Sequence, residues 1–202
     1  MKELTTRALS GLLFAVILIG SLQFKYACIA IFFLFGLICL GEFNKLIGQR
    51  NRVSYIIFTS MFLAVAFWEQ LFKPLESLSD ISQILLVICL FVNLFLIRDL
   101  FSSKSLPALL SNQFINTTFY VSSGFVFLLL IALNFGNYSP EIIMFIFILI
   151  WINDTFAYIV GKNFGKQKLF ESISPKKTVE GFLGGVFFAA LGSYVIANYT
   201  DS

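Results

Sequence analysis

Seven apolar runs, each close to the length of a membrane-crossing helix, constrain this chain more than any other feature. They are Ala8–Phe24, Tyr26–Gly41, Val53–Phe72, Ile81–Ile97, Thr117–Phe135, Ile142–Val160 and Val179–Ala197. A hydrocarbon core ~30 Å thick takes about 20 residues of helix. Helix is also the form in which one segment satisfies its own backbone polar groups in lipid. The expected fold class is therefore all-α, a polytopic transmembrane helical bundle of about seven spans. Of the 202 residues only 12% are charged, about half the ~25% of a soluble domain. The 26 Phe side chains exceed what a soluble core of this size can bury, whereas lipid accepts them. Only Lys25 separates the first two runs, which predicts a tight helical hairpin, with a single long kinked helix as the alternative. Lys2 and Arg7 before Ala8–Leu22 resemble the start of a signal peptide. No small-residue cleavage site follows, so the segment reads as a retained anchor.

The basic residues set the sidedness. Lys2, Arg7, Lys45, Arg50, Arg52, Arg98, Lys104, Lys162, Lys166, Lys168, Lys176 and Lys177 fall on one side of the predicted spans, and only Lys25 and Lys73 on the other. A bias of twelve to two places the N-terminus in the cytoplasm and, after seven crossings, leaves Ser202 on the outer side. The connection Arg98–Asn116 is long enough for a short interfacial turn.

Several functions are excluded or unsupported. The chain has no His, so His-ligated zinc and Ser-His-Asp catalysis are ruled out. Cys28, Cys39 and Cys89 lie in apolar runs at spacings that fit no metal site. No basic tract suits a nucleic-acid backbone, so no nucleic-acid partner is expected.

Polar residues without a structural reason gather in Trp151–Gly185. Asp154 sits inside the sixth run, seven residues before Gly161, or ~10 Å at helical rise. A carboxylate near a span centre costs about 2.5–3.5 kcal/mol on the insertion scale, and such residues usually serve a function. Asp154 could cap an inter-helix hydrogen-bond network, or it could hold Mg²⁺, which takes oxygen ligands and keeps waters for phosphate chemistry. Asn153 and Thr155 flank it, and Tyr158 follows one turn later. In Ser174-Pro175-Lys176-Lys177-Thr178, Ser174 suits an N-cap and Pro175 a first helical position. Lys176 and Lys177 then fall in a first turn, where the helix dipole disfavours cations. They are either anchors at a span end or, with the N-terminal N–H groups and the Ser174 and Thr178 hydroxyls, a phosphate site. Glu180 is spaced to pair with Lys176 or Lys177, or to bind metal. Gly181, Gly185, Ala189 and Ser193 form a small-residue stripe for close helix packing. Gly161 and Gly165 bracket the basic loop Gly161–Lys168, which could cradle phosphates but is neither a Walker A nor a G-x-G-x-x-G pattern.

In these residues the chain resembles the phosphatidate cytidylyltransferase, or CDP-diglyceride synthetase, family. That family shows W-x-x-D-[ST]-x-A-Y, then a G-x-x-F-G-K-x-K-L loop, then I-S-P-x-K-T-x-E-G-x-x-G-G. Here the positions are Trp151, Asp154, Thr155, Ala157 and Tyr158; Gly161, Phe164, Gly165, Lys166, Lys168 and Leu169; and Ile173, Ser174, Pro175, Lys177, Thr178, Glu180, Gly181, Gly184 and Gly185. Phe156 and Val179 depart from the commonest residues at their positions without removing a polar group. Glu42-Phe43 is a fainter echo. The family's later signature, with Lys-Asp, Pro-Gly-His-Gly-Gly and Asp-Arg-x-Asp runs, is absent, so the sequence reads as an incomplete fragment of such an enzyme.

The resemblance implies a CTP-dependent nucleotidyltransferase of phospholipid biosynthesis, converting CTP and phosphatidate to CDP-diacylglycerol and pyrophosphate. It implies Mg²⁺ as cofactor with Asp154 as metal ligand, and Asp154 and Lys177 as catalytic residues. Ser174, Lys176, Thr178, Glu180, Lys166 and Lys168 would bind substrate. Residues 1–135 would be N-terminal transmembrane helices, and 136–202 the start of the catalytic transmembrane region. The location implied is the cell membrane (the bacterial inner membrane), multi-pass, with the active site facing the cytoplasm; a homodimer is compatible. A CTP-dependent lipid or polyprenol kinase and a transporter of anionic solutes are the competing readings.

Overall fold

The first two apolar runs fold as separate helices, α1 (Lys2–Ser21) and α2 (Lys25–Leu46). The computed structural model describes residues 2–48, 52–72, 75–100, 112–134, 137–171 and 174–200. Leu22, Gln23 and Phe24 make the turn, with the Phe24 N–H donating to Ser21 O at 3.3 Å. Phe14 stacks on Phe35 across the pair, with ring centroids 5.1 Å apart, so the segment is a hairpin and not one kinked helix.

After α2 come α3 (Val53–Ala66), the single turn α4 (Trp68–Leu71), α5 (Leu75–Leu100) and α6 (Gln113–Asn116). A π-helical segment, Thr117–Ser122, leads into α7 (Ser123–Leu133). Helix α8 covers Pro140–Phe164. Strands β1 (Lys168–Phe170) and β2 (Ser174–Thr178) then precede α9 (Val179–Thr200). Five helical stretches among the described residues are long and apolar enough to cross a membrane: Lys25–Leu46, Leu78–Arg98, Gln113–Leu133, Pro140–Phe164 and Val179–Asn198. The first and third expected spans are helical too, as α1 with 20 residues and α3 with 14. The architecture is that of an all-α polytopic membrane protein with one small antiparallel hairpin. Most of Arg98–Asn116, where an interfacial turn was expected, lies outside the described residues, as does Ile173.

The chain divides into two units, Met1–Pro140 and Glu141–Ser202. In the first, α2, α3, α7 and the π-helical segment surround an aromatic core. Phe33, Phe58 and Phe62 are mutually packed with centroids 5.5–5.7 Å apart, and Phe58 and Phe62 are fully buried. Some of the polar groups inside find nearby partners, whereas Asn44 Oδ1, Asn116 Oδ1 and Ser122 Oγ are buried without one. Asn44 Nδ2 donates to Ser54 Oγ at 2.9 Å, tying α2 to α3, and the Tyr138 hydroxyl donates to Leu22 O at 2.7 Å.

Gly36 lets this core close. A Cβ at Gly36 would collide with the Phe58 ring, reaching Cε2 at 2.9 Å, and that ring is buried with no room to swing away. Gly36→Ala is expected to destabilise the first unit by about 1–3 kcal/mol. Thermal unfolding in detergent should show a midpoint lower by about 2–4 °C per kcal/mol. An unchanged midpoint would mean that α2 and α3 are not this close.

The second unit is a helix pair with a hairpin at one end. Glycines on α9 meet α8 directly: a Cβ at Gly181 would lie 2.7 Å from Ala157 O, one at Gly184 2.7 Å from Val160, and one at Gly185 2.7 Å from Asn153 Oδ1. Gly181 and Gly185 thus pack as their spacing predicted, and Gly184 joins them. Phe156 and Phe188 stack at 3.8 Å.

Candidate active site

Helix α8 continues one turn beyond the expected Val160. The Gly165 N–H donates to Gly161 O at 3.1 Å and Asn163 Nδ2 to Ile159 O at 2.8 Å, which closes that last turn. Gly161 and Lys162 are therefore helical, and the expected basic loop shrinks to Gly165–Gln167.

The segment expected to begin the last helix is instead extended. Ser174–Thr178 pairs antiparallel with β1, Lys168 opposite Thr178 and Phe170 opposite Ser174, with an irregular register between them. Ser174 is thus not the N-cap, Pro175 is not a first helical position, and Lys176 and Lys177 do not sit in a first turn. Three physical causes act together. Proline biases the residue before it toward extended conformations; β1 supplies a ladder partner; and Thr178 takes the cap. Thr178 Oγ1 accepts the Gly181 N–H at 3.2 Å, the usual N-cap bond. The Val179 N–H donates to Gln167 O at 2.9 Å. With two of its first three N–H groups engaged, the α9 N-terminus does not present the free donor set expected for a bound phosphate.

A cleft of about 590 Å³ opens beside this junction. Helix α8 contributes Asn153, Asp154, Ala157, Tyr158, Gly161 and Lys162; the hairpin contributes Leu169, Lys176, Lys177 and Thr178; α9 adds Gly181 and Phe182. The lining includes three lysines and one carboxylate, a net charge of +2. Lys162 lies over the Tyr158 ring, its Nζ 5.8 Å from the centroid.

Of the residues expected to act, the fold gathers Asp154, Lys176, Lys177 and Thr178 into this cleft. It does not bring in the other four. Ser174 is half-buried on β2 opposite Phe170. Lys168 donates its Nζ to Pro175 O at 2.6 Å across the hairpin. The Glu180 carboxylate accepts the Lys166 N–H at 3.0 Å and the Gln167 N–H at 3.2 Å, so its hydrogen bonds go to backbone and not to Lys176 or Lys177. Lys166 lies outside the lining, its backbone N–H held by Glu180. Lys162 is the cationic member that the sequence reading missed as a site residue: a lysine at a span end looks like an anchor, and only its spacing of eight residues from Asp154 on one helix hinted at a shared face.

Among the described residues no group of three His, Cys, Asp or Glu comes together. Asp154 offers one carboxylate, and Tyr158 of the same lining carries a neutral oxygen. That fits an ion whose remaining ligands are phosphate and water, which is how Mg²⁺ is commonly held. It does not fit an ion caged by protein alone.

The chain is 51% identical over 80 residues to the phosphatidate cytidylyltransferase of Aquifex aeolicus (strain VF5), covering 40% of this chain and 30% of that protein. It is 38% identical over 82 residues to the enzyme of that name from Staphylococcus aureus (strain COL), covering 41% and 30%. Against that from Staphylococcus epidermidis it is 46% identical over 59 residues, covering 29% and 23%. The chain thus matches less than a third of the length of these relatives. No solved structure matches it. Over residues 4–202 the sequence matches the cytidylyltransferase family, and the chain belongs to that family.

Proposed function

We propose that the chain builds the phosphate-binding part of a phosphatidate cytidylyltransferase site, where CTP and phosphatidate give CDP-diacylglycerol and pyrophosphate. The observation that carries this reading is the net-positive cleft that still holds one carboxylate. Cations alone would suit any anion. A carboxylate among them suits a polyphosphate that arrives with a divalent cation.

In the reaction, a phosphatidate phosphate oxygen attacks the α-phosphorus of CTP. The bond from that phosphorus to the α–β bridging oxygen breaks, and pyrophosphate leaves with the electron pair. Phosphoryl transfer of this kind needs positioning and charge neutralisation more than covalent help. Lys177 and Lys176 hold phosphate oxygens from β2, Lys162 does so from α8, and Thr178 offers its hydroxyl. Asp154 is the carboxylate that would hold Mg²⁺ when it is bound, and the ion would neutralise charge on the phosphates. Ser174 and Lys168 act through the hairpin that carries the two lysines. The twelve-to-two distribution of Lys and Arg supports a cytoplasmic site, on the side where CTP is available, while the lipid substrate stays in the bilayer.

The test is product analysis with the intact protein containing this chain, reconstituted in phosphatidate-bearing nanodiscs with labelled CTP and Mg²⁺. CDP-diacylglycerol and pyrophosphate are expected in equal amounts. Release of CDP with a phosphorylated lipid would indicate a kinase and overturn the reading. Lys177→Ala should raise the KM for CTP about tenfold or more, since a charge-assisted hydrogen bond is worth about 1.5–3 kcal/mol. Lys25→Ala, on the opposite side of the charge distribution, should leave KM unchanged.

A further inference from the structure

Glu180 stands apart from the other polar residues of this region because its carboxylate is spent on backbone. Oε2 accepts the Lys166 N–H at 3.0 Å and the Gln167 N–H at 3.3 Å, and Oε1 accepts the Gln167 N–H at 3.2 Å. These N–H groups belong to the loop joining α8 to β1. Two backbone bonds brace the same junction, Val179 N–H to Gln167 O at 2.9 Å and Gly165 N–H to Gly161 O at 3.1 Å. The hairpin itself is tied by its ladder and by Lys168 Nζ to Pro175 O at 2.6 Å. Its described strands are thus tied to each other, and their direction is set where they join the helices. At that junction Thr178 fills the space between Gly161, Gly165 and Gly181, with Oγ1 within 3.0 Å of a Cβ placed on any of them. Glu180 is the acidic side chain there, with the Lys166 charge nearby, and its hydrogen bonds reach across 13–14 residues of sequence.

We propose that Glu180 is a positioning residue: it clamps the Gly165–Gln167 loop to the first turn of α9 and so aims the hairpin that carries Lys176 and Lys177 at the cleft. The clamp itself stands on geometry; what it serves rests on the nucleotide reading above. A carboxylate suits the task, because it accepts two adjacent N–H groups without offering a donor that would oppose them. Gln keeps one acceptor oxygen and adds a mismatched donor, and Ala keeps nothing.

The experiment compares the intact protein with its Glu180→Gln and Glu180→Ala variants in nanodiscs. Hydrogen exchange is followed at the Lys166 and Gln167 amides, and steady-state kinetics against CTP and against Mg²⁺. Exchange at both amides should quicken by about tenfold in Glu180→Gln and further in Glu180→Ala, as a charge-assisted bond is weakened and then lost. The KM for CTP should rise in the same order, about tenfold for Glu180→Gln, with kcat changing much less. Unchanged exchange in both variants overturns the clamp. Faster exchange with an unaltered KM overturns the positioning role. A fall in kcat and unfolding midpoint together, with KM constant, makes the residue merely structural. A steeply raised Mg²⁺ requirement makes Glu180 a metal ligand instead. If the wild-type protein binds no CTP, the functional reading falls, and exchange alone still decides the clamp.

Discussion

On the proposed reading, Asp154→Asn is expected to slow CDP-diacylglycerol formation by about 10²–10³-fold without destabilising the protein. The two halves of this expectation come from different facts. Asp154 lines the cleft as its one carboxylate, among Lys162, Lys176 and Lys177. Asn keeps the size and one oxygen but loses the charge that would balance a divalent cation, so the loss should fall on kcat and on the Mg²⁺ dependence together. For stability the sign reverses. An Asp within an apolar helix carries an insertion cost of about 2.5–3.5 kcal/mol near the span centre, and Asp154 is exposed on α8. Removing its charge should leave the unfolding midpoint equal to wild type or higher. A charge that costs stability and supports turnover is the signature of a functional residue. Wild-type synthesis with unaltered Mg²⁺ dependence would remove Asp154 from the mechanism. Lost activity accompanied by a lowered midpoint would make it a structural group.

Asp154, which the fold places in the cleft lining, could be singled out in the sequence because a charge inside an apolar run is costly. The spans were legible for the matching reason: hydropathy over about 20 residues reflects the solvent and needs no knowledge of neighbours. What could not be read depended on neighbours. Val53–Phe72 looks like one helix and contains neither Gly nor Pro, yet α3 ends at Ala66 and α4 begins at Trp68. There Trp68 packs on Phe72, with centroids 4.7 Å apart, and against the cluster of Leu78, Val126 and Leu130. The π-helical segment Thr117–Ser122 likewise has no sequence signal. The Phe119 carbonyl accepts from Ser123 Oγ at 2.8 Å and from Asn93 Nδ2 at 3.4 Å, and Asn93 comes from a different helix.

At the site, the misreading of Ser174–Thr178 has the same origin. Its composition satisfies helix-start grammar and strand grammar equally, and the ladder partner that decides between them is three residues of β1, too short to announce itself. The cleft survives that correction. Lys176 and Lys177 reach it from a strand instead of a helix N-terminus, so their contribution is ammonium charge without the help of a helix dipole. Lys162 joins them in the lining from α8.

Gly181→Ala, a change of one methyl group, is expected to cost more than most substitutions on this helix. In lipid, helices gain little from burying apolar surface against each other, and close approach through small residues takes over. A Cβ at Gly181 would sit 2.7 Å from Ala157 O, 3.0 Å from Gly161 Cα and 3.0 Å from Thr178 Oγ1. Two of these are backbone atoms of α8, so no rotamer change relieves the clash and the helices must separate. The third is the hydroxyl that caps α9. A cost of about 1–3 kcal/mol follows, with a lower unfolding midpoint. The catalytic effect should be larger than that cost implies. Asp154 and Lys162 stand on α8, and Phe182 and the hairpin on the α9 side; parting the helices by ~1 Å misaligns groups that must meet one substrate, worth about 10²-fold in rate. Gly124→Ala provides the contrast. Gly124 is also helical, but a Cβ there meets nothing within 4 Å, and Ala favours helix over Gly by about 1 kcal/mol, so its midpoint should hold or rise and its turnover stay at wild type. If Gly181→Ala behaved like Gly124→Ala, the close approach of α8 and α9 would be refuted, and with it the geometry that brings Asp154 to the lysines. If instead Gly181→Ala loses turnover while Gly185→Ala, one turn further along, mainly lowers the midpoint, the cleft depends on the contact beside it more than on the helix pair as a whole.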